Sequence, residues 1–224
     1  MQSLHNMENP ELNGLEENPK KSFNMKRMYF AVFLFFFITL PMGYYIWKRS
    51  HRNDLSIIER AEWGADEPIA KDFLNLPAQN VIIHHTATEQ CETKNVCIHR
   101  IKMLQEYHMS SRDWHDIGLN FLVGGDGEIY EGRGWDVRAQ PVRGYENISI
   151  SIAFIGTFTS VEPNARQVEA AKRLMEDGVR QKKLRYDYHI YAQRQFEPTE
   201  SPGQKLYELM KQWPRWSTII RQLH

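Results

Sequence analysis

The longest unbroken apolar run comes early in the chain. Met28 to Trp47 reads MYFAVFLFFFITLPMGYYIW, 20 residues without a charge, the length that crosses a hydrocarbon core at about 1.5 Å per residue. Tyr29 at one end and Tyr44, Tyr45 and Trp47 at the other fall where an aromatic belt would sit. Pro41 and Gly43 would break a helix in water, but a membrane helix tolerates them when the freed carbonyl finds a partner. The run is too long for a signal-peptide core, follows a long polar leader and has no small-x-small cleavage pattern behind it. It predicts an uncleaved signal anchor rather than a removed signal or a buried core helix.

Beyond residue 56 the period of the pattern changes from element to element. Val81 to Ile83 predicts a short buried strand. From Ile98 to Met109, the residues Ile98, Ile101, Leu104 and Tyr107 recur at helical spacing and predict one inward face. NFLVGGDGEIYEG predicts a hairpin, two β-rich arms around a Gly-Gly-Asp-Gly turn. In NISISIAFIG, Ile148, Ile150, Ile152 and Phe154 alternate with small residues, which predicts a half-buried strand. Asn164 is placed to cap a helix that turns Val168, Ala171, Leu174 and Met175 inward. HIYA predicts another short strand, and a final helix is predicted to open at Ser201-Pro202 and to carry Leu206, Leu209 and Met210. Strands interleaved with helices around one sheet predict a mixed α/β domain.

These patterns divide the chain into a polar, disordered tail over 1–27, the anchor over 28–47, a short basic stalk over 48–56 and one folded domain over 57–224. The chain carries 28 basic and 28 acidic residues, so no global field argues for nucleic acid. Orientation across a membrane is not decided by charge: Lys20, Lys21, Lys26 and Arg27 flank one side, Lys48, Arg49 and Arg52 the other. Cysteine decides it better. Cys91 and Cys97 are the only two and enclose five residues, a loop that a disulfide can close, which favours an oxidising compartment. Asn147-Ile148-Ser149 is an N-glycosylation acceptor and agrees. The expectation is a single-pass type II protein of the cell membrane, with its tail inside and its large domain outside.

The candidate chemistry starts at VIIHHTAT, where a short strand ends in His84 and His85, a pair that often marks a metal site. With RAEWGA, the Cys91–Cys97 loop, YHMSSRDWHDIGLNFLVGGDGEIYEGRGW, ISIAFIGTF and ESPGQKLYE following in order, residues 57–217 resemble the animal peptidoglycan recognition proteins, relatives of the type 2 N-acetylmuramoyl-L-alanine amidases. The resemblance implies a central mixed β-sheet flanked by helices, with a groove for a muropeptide. It also implies that catalytic members hold one zinc through a histidine after the first strand, a second histidine and a cysteine, with a tyrosine assisting. Three protein ligands and one open position for water are sound zinc chemistry. Here His84 is present, but the second ligand position is Gln193, the cysteine position is Ser201 and the tyrosine position is Leu119. His85 is expected to point to the other face of its strand. His99, His108, His115 and His189 fall at no ligand position of the pattern. The expectation is therefore no enzyme, no metal and no cofactor.

A groove that no longer cuts can still recognise. The residues expected to line it are His84, Thr86, Trp114, Arg133, Gly134, Trp135, Arg138, Gln140 and Gln193. As the resemblance implies, Arg133-Gly134-Trp135 on the hairpin's second arm reads the third residue of the stem peptide. Arg followed by Gly-Trp is the form seen where diaminopimelate-type peptidoglycan is preferred. A guanidinium could meet that residue's extra carboxylate with two parallel hydrogen bonds. Arg138, where the family has glycine, is expected to crowd the groove. Three function classes follow: a non-catalytic receptor for bacterial peptidoglycan fragments, a membrane-bound regulator that pairs as a homo- or heterodimer with a related receptor, and, more distantly, a zinc amidase.

Overall fold

The computed structural model describes residues 55–140 and 142–220, together with Tyr29, Phe33, Phe35, Phe37, Thr39, Leu40 and Gly43. The chain divides into two units, Met1–Asn53 and Asp54–His224. In the first unit the seven described residues are helical and exposed. The ring centroids of Phe33 and Phe37 lie 5.5 Å apart, and Thr39 Oγ1 donates to the Phe35 carbonyl. Among the described residues no helix is long and apolar enough to cross a membrane. The rest of the predicted anchor, the tail over 1–27 and most of the stalk lie outside the described residues.

The second unit is built on a six-stranded sheet in the order β1 (Ile57–Ile58), β4 (Ile129–Glu131), β3 (Phe121–Val123), β5 (Ser149–Phe154), β2 (Ala78–His85) and β6 (Leu184–Ala192). Only the β3–β4 hairpin is antiparallel; the other neighbours run parallel. Helices are α1 (Arg60–Trp63), α2 (Lys94–Ser110), α3 (Ala165–Arg180) and α4 (Gln204–Met210). One sheet face, with Val81, Ile83, Phe121, Ile150, Ile152 and Phe154, packs on Ala171, Leu174 and Met175 of α3 and on Leu206 and Met210 of α4. A second cluster joins Trp63, Leu122 and Tyr130 to Ile101 of α2 and to the Cys91–Cys97 disulfide. Parallel strands need helical crossovers, and helices on both faces bury the strands between them.

That two-sided cover corrects the expectation for β5. All six of its residues are buried, because it lies between β3 and β2, and the small residues Ser149, Ser151 and Ala153 serve a second covered face. The α2 face also differs from the expected one. Its buried stripe is Cys97, Ile101, Gln105 and His108, while Tyr107 is exposed and Ile98 and Leu104 are only half-buried. Two polar residues in the stripe masked it from an apolar count. Gln105 is satisfied there by Asp66 N, Asp66 O and Asp116 Oδ1, as a buried amide must be. Asn164 caps α3 as expected, its side chain accepting from Gln167 N at 2.9 Å. β6 extends well beyond HIYA, and α4 opens at Gln204 behind Gly203 rather than at Ser201-Pro202.

Candidate functional site

A groove of about 420 Å³ opens beyond the carboxyl ends of β2 and β6, where ligands gather in parallel sheets because successive loops diverge there. β2 delivers His84, His85 and, just past its end, Thr86; the turn after β6 delivers Gln193; Ser201 arrives from the loop before α4. The opposite wall is the loop after α2, with Trp114, Gly118 and Leu119. Asp116 holds that loop in place. It accepts from Ile117 N, Gln105 Nε2 and the Arg60 guanidinium. Trp114 packs flat over Gly118, where a Cβ would fall 2.3 Å from the indole.

The groove floor is set by His84, which is 3% exposed. Its Nδ1 lies 2.8 Å from Gln193 Oε1, and Gln193 Nε2 donates to Glu197 Oε2 at 3.1 Å. Burial, only partly opposed by the Gln193 hydrogen bond, lowers the His84 pKa to about 4, so the ring is neutral at physiological pH. His85 lies on the other strand face, as expected, its Nδ1 accepting from Phe158 N at 3.3 Å, yet at the strand end it also borders the groove, and burial lowers its pKa. Ser201 does not cap α4; its Oγ accepts from His85 N at 3.2 Å.

This donor set is a poor match for the zinc that the type 2 amidase pattern implies. One imidazole, one neutral amide already engaged at both ends and one hydroxyl already accepting from a backbone N–H supply no thiolate and no second imidazole. Among the described residues no group of three or more His, Cys, Asp or Glu side chains could hold a metal.

Of the nine residues expected to line the groove, five do: His84, Thr86, Trp114, Gln140 and Gln193. The other four do not. Arg133 is 8% exposed and turns inward, Nε donating to the Ile117 carbonyl at 2.7 Å and Nη1 to the Arg138 carbonyl at 2.8 Å. Gly134 sits at φ 68°, a left-handed conformation that glycine adopts without strain. Trp135 enters the core on the α3 side, its ring 4.6 Å from Phe121 and close over Gly178. Arg138 does not crowd the groove: its guanidinium pairs with Asp72 at 2.7 Å and with Asn147 Oδ1 at 3.2 Å. Arg133 and Trp135 are thus packed inward and Arg138 pairs at the surface, so none of these side chains lines the groove.

Sequence reasoning missed the groove's far end. Tyr107, His108 and Arg112 line it, with the Arg112 guanidinium 5.7 Å from the Tyr107 ring, 5.9 Å from the Trp114 ring and donating to Tyr107 Oη. His108 stacks on Trp114 at 4.6 Å, and its Nδ1 accepts from Gly118 N. Burial, with Arg112 and Arg133 nearby, lowers its pKa to about 4. The signal was available in YHMSSRDW, a cluster of aromatic and basic residues at a helix end beside a glycine-bearing loop. The groove thus has a cationic, aromatic end at Arg112 and an amide and acid end at Gln193 and Glu197.

A mixed sheet with a polar groove at the carboxyl ends of its parallel strands defines a domain of the amidase type. The family profile of N-acetylmuramoyl-L-alanine amidase matches residues 74–204. Within that type, the chain belongs to the peptidoglycan recognition proteins. It is 38% identical over 162 residues to peptidoglycan-recognition protein SC2 of Drosophila simulans, covering 72% of this chain and 88% of that relative. Among solved structures it matches a chain of the complex of tracheal cytotoxin with the ectodomains of peptidoglycan recognition proteins LCa and LCx. That match has a TM-score of 0.73 and 49% identity and covers 74% of this chain and 100% of the other. It also matches peptidoglycan recognition protein LE bound to tracheal cytotoxin, a monomeric diaminopimelic acid-type peptidoglycan, with a TM-score of 0.72, 41% identity and coverage of 73% and 96%.

Proposed function

We propose that this protein is a non-catalytic receptor of innate immunity that binds bacterial peptidoglycan, held at the cell surface by a signal anchor over 28–47. The observation that carries the reading is the engaged donor set at the groove floor. His84, Gln193 and Ser201 converge as the resemblance places them, but the last two are a neutral amide and a hydroxyl, each already hydrogen-bonded, where the pattern has an imidazole and a thiolate. A groove without a metal-activated water can still bind a glycopeptide through its polar walls. The diaminopimelate type is the favoured ligand, on the likeness to two proteins solved with tracheal cytotoxin. Arg133 does not support that preference; a ligand carboxylate would find its cation at Arg112 instead. A second reading, a membrane-bound regulator that pairs with a related receptor, is favoured by the likeness to a chain of the LCa–LCx complex.

The test is a pull-down of the protein on insoluble peptidoglycan of the diaminopimelate and lysine types, with zinc content and peptide release measured on the same preparation. Retention on the diaminopimelate polymer without peptide release supports the receptor. One tightly held zinc per chain with amidase turnover overturns it. Failure to bind either polymer moves the reading to the pairing regulator.

A further inference from the structure

His84 carries an atom that the groove's own residues do not satisfy. The oxygen of a glutamine side chain can only accept, so the 2.8 Å contact from Gln193 Oε1 requires that His84 Nδ1 hold the proton. In the neutral ring Nε2 is then a bare acceptor. It is buried and has no hydrogen-bond partner among the described residues, a costly state for a polar atom shielded from water. Nor can the amide turn over to relieve it. Gln193 Nε2 donates to Glu197 Oε2, and a flipped amide would set its oxygen against that carboxylate. Glu197 therefore fixes Gln193, and Gln193 fixes the acceptor form of His84. Leu119, at the groove wall, offers no polar atom.

We propose that His84 Nε2 accepts an uncharged N–H donor from the ligand, a backbone amide of the stem peptide, with Gln193 and Glu197 as positioning residues that hold the imidazole in its accepting form. The inference rests on the peptidoglycan reading of the groove and gives the former metal-ligand position a recognition role. An acceptor lone pair repels a carboxylate, so the anionic parts of a muropeptide belong at the Arg112 end, and the neutral backbone belongs over His84.

Nitrogen NMR of the full-length chain with labelled histidine imidazoles, in detergent micelles, tests this. The His84 signals are assigned by their loss in His84→Gln. The free protein should show His84 protonated at Nδ1 and bare at Nε2. Saturation with a muramyl tripeptide should move the Nε2 resonance upfield, as a new hydrogen bond requires, and leave Nδ1 in place; the sugar-free tripeptide, N-acetylated to keep its first amide N–H, should do the same. Gln193→Leu should release the fixed tautomer and weaken tripeptide binding about fivefold, the scale of one neutral hydrogen bond. Saturable binding, followed by tryptophan fluorescence, with Nε2 unmoved would overturn the inference and leave the receptor reading intact. A shift with the sugar-bearing ligand alone would assign the donor to the muramyl unit, to its hydroxyls or its acetamido N–H, and overturn the stem-peptide amide. No binding at all would overturn both readings.

Discussion

Arg133 stands on the hairpin arm that the family pattern links to ligand discrimination, yet its guanidinium donates to the Ile117 carbonyl of the loop carrying Trp114, Gly118 and Leu119 and to the Arg138 carbonyl of its own segment. Removing it leaves the buried Ile117 carbonyl and the part-buried Arg138 carbonyl without these donors. Arg133→Ala should therefore cost about 2–3 kcal/mol of domain stability, read by denaturant unfolding. It should also weaken both peptidoglycan types alike, since the loop and not a carboxylate contact is lost; a selective loss of the diaminopimelate type would contradict this placement. The two buried imidazoles make a second prediction. His84 and His108 each have folded pKa values of about 4, below the unfolded value near 6.5. Above pH 6.5 both states are neutral and nothing is lost. As pH falls towards 4, the unfolded chain takes up protons that the folded one refuses, so stability declines by up to about 1.4 kcal/mol per pH unit for each histidine. Unfolding midpoints at pH 7 and pH 5 measure it, and His108→Gln should flatten the slope.

At the scale of elements, the strength of the apolar signal decided what could be read in advance. β2, the β3–β4 hairpin and the capped α3 were legible, because each carries an apolar run or stripe at strand or helix spacing, even though Asn80, His84, Gln167 and Asp177 are buried beside it. α2 was located correctly but its buried face was not, since Gln105 and His108 take core positions and satisfy their polar atoms through partners outside the helix, Asp66 and Gly118. No local pattern encodes such partners. The groove followed the same rule. His84, Gln193 and Ser201 were legible from motif order, whereas the inward turn of Arg133 depends on carbonyls presented only after the loop has folded. The Cys91–Cys97 bridge joins the loop after β2 to the first turns of α2 and is buried with Trp63 and Ile101. Closing a loop with a sequence separation of 6 restricts the unfolded chain modestly, so Cys91→Ala with Cys97→Ala should cost about 2–2.5 kcal/mol by the loop-entropy relation. Equal midpoints for the oxidised and reduced protein would refute that.

For the molecule as a whole, the prediction to test is the proposed membrane anchor over 28–47 and its orientation. The proposal places residues 1–27 inside and 57–224 outside, and it joins two independent features: an uncharged stretch long enough to span, and a disulfide-bonded domain behind it. Disulfides persist where the surroundings are oxidising, and cytosolic reductants keep such pairs as thiols. Asn147 adds a third handle, because its side chain is exposed while Ser149 of the same acceptor triplet is 1% exposed. Any glycan there must be added before β5 docks into the sheet, and the protein should then carry it on an exposed turn beside Arg138. A protease applied to intact cells should remove the domain and leave a small membrane-bound fragment. Thiol reagents should label Cys91 and Cys97 only after reduction, and a glycosidase should increase the mobility of the released piece. A domain that stays protected, with both thiols free before reduction, would show the opposite orientation and remove the surface-receptor reading with it, since a groove for bacterial peptidoglycan at the cell surface must face the medium.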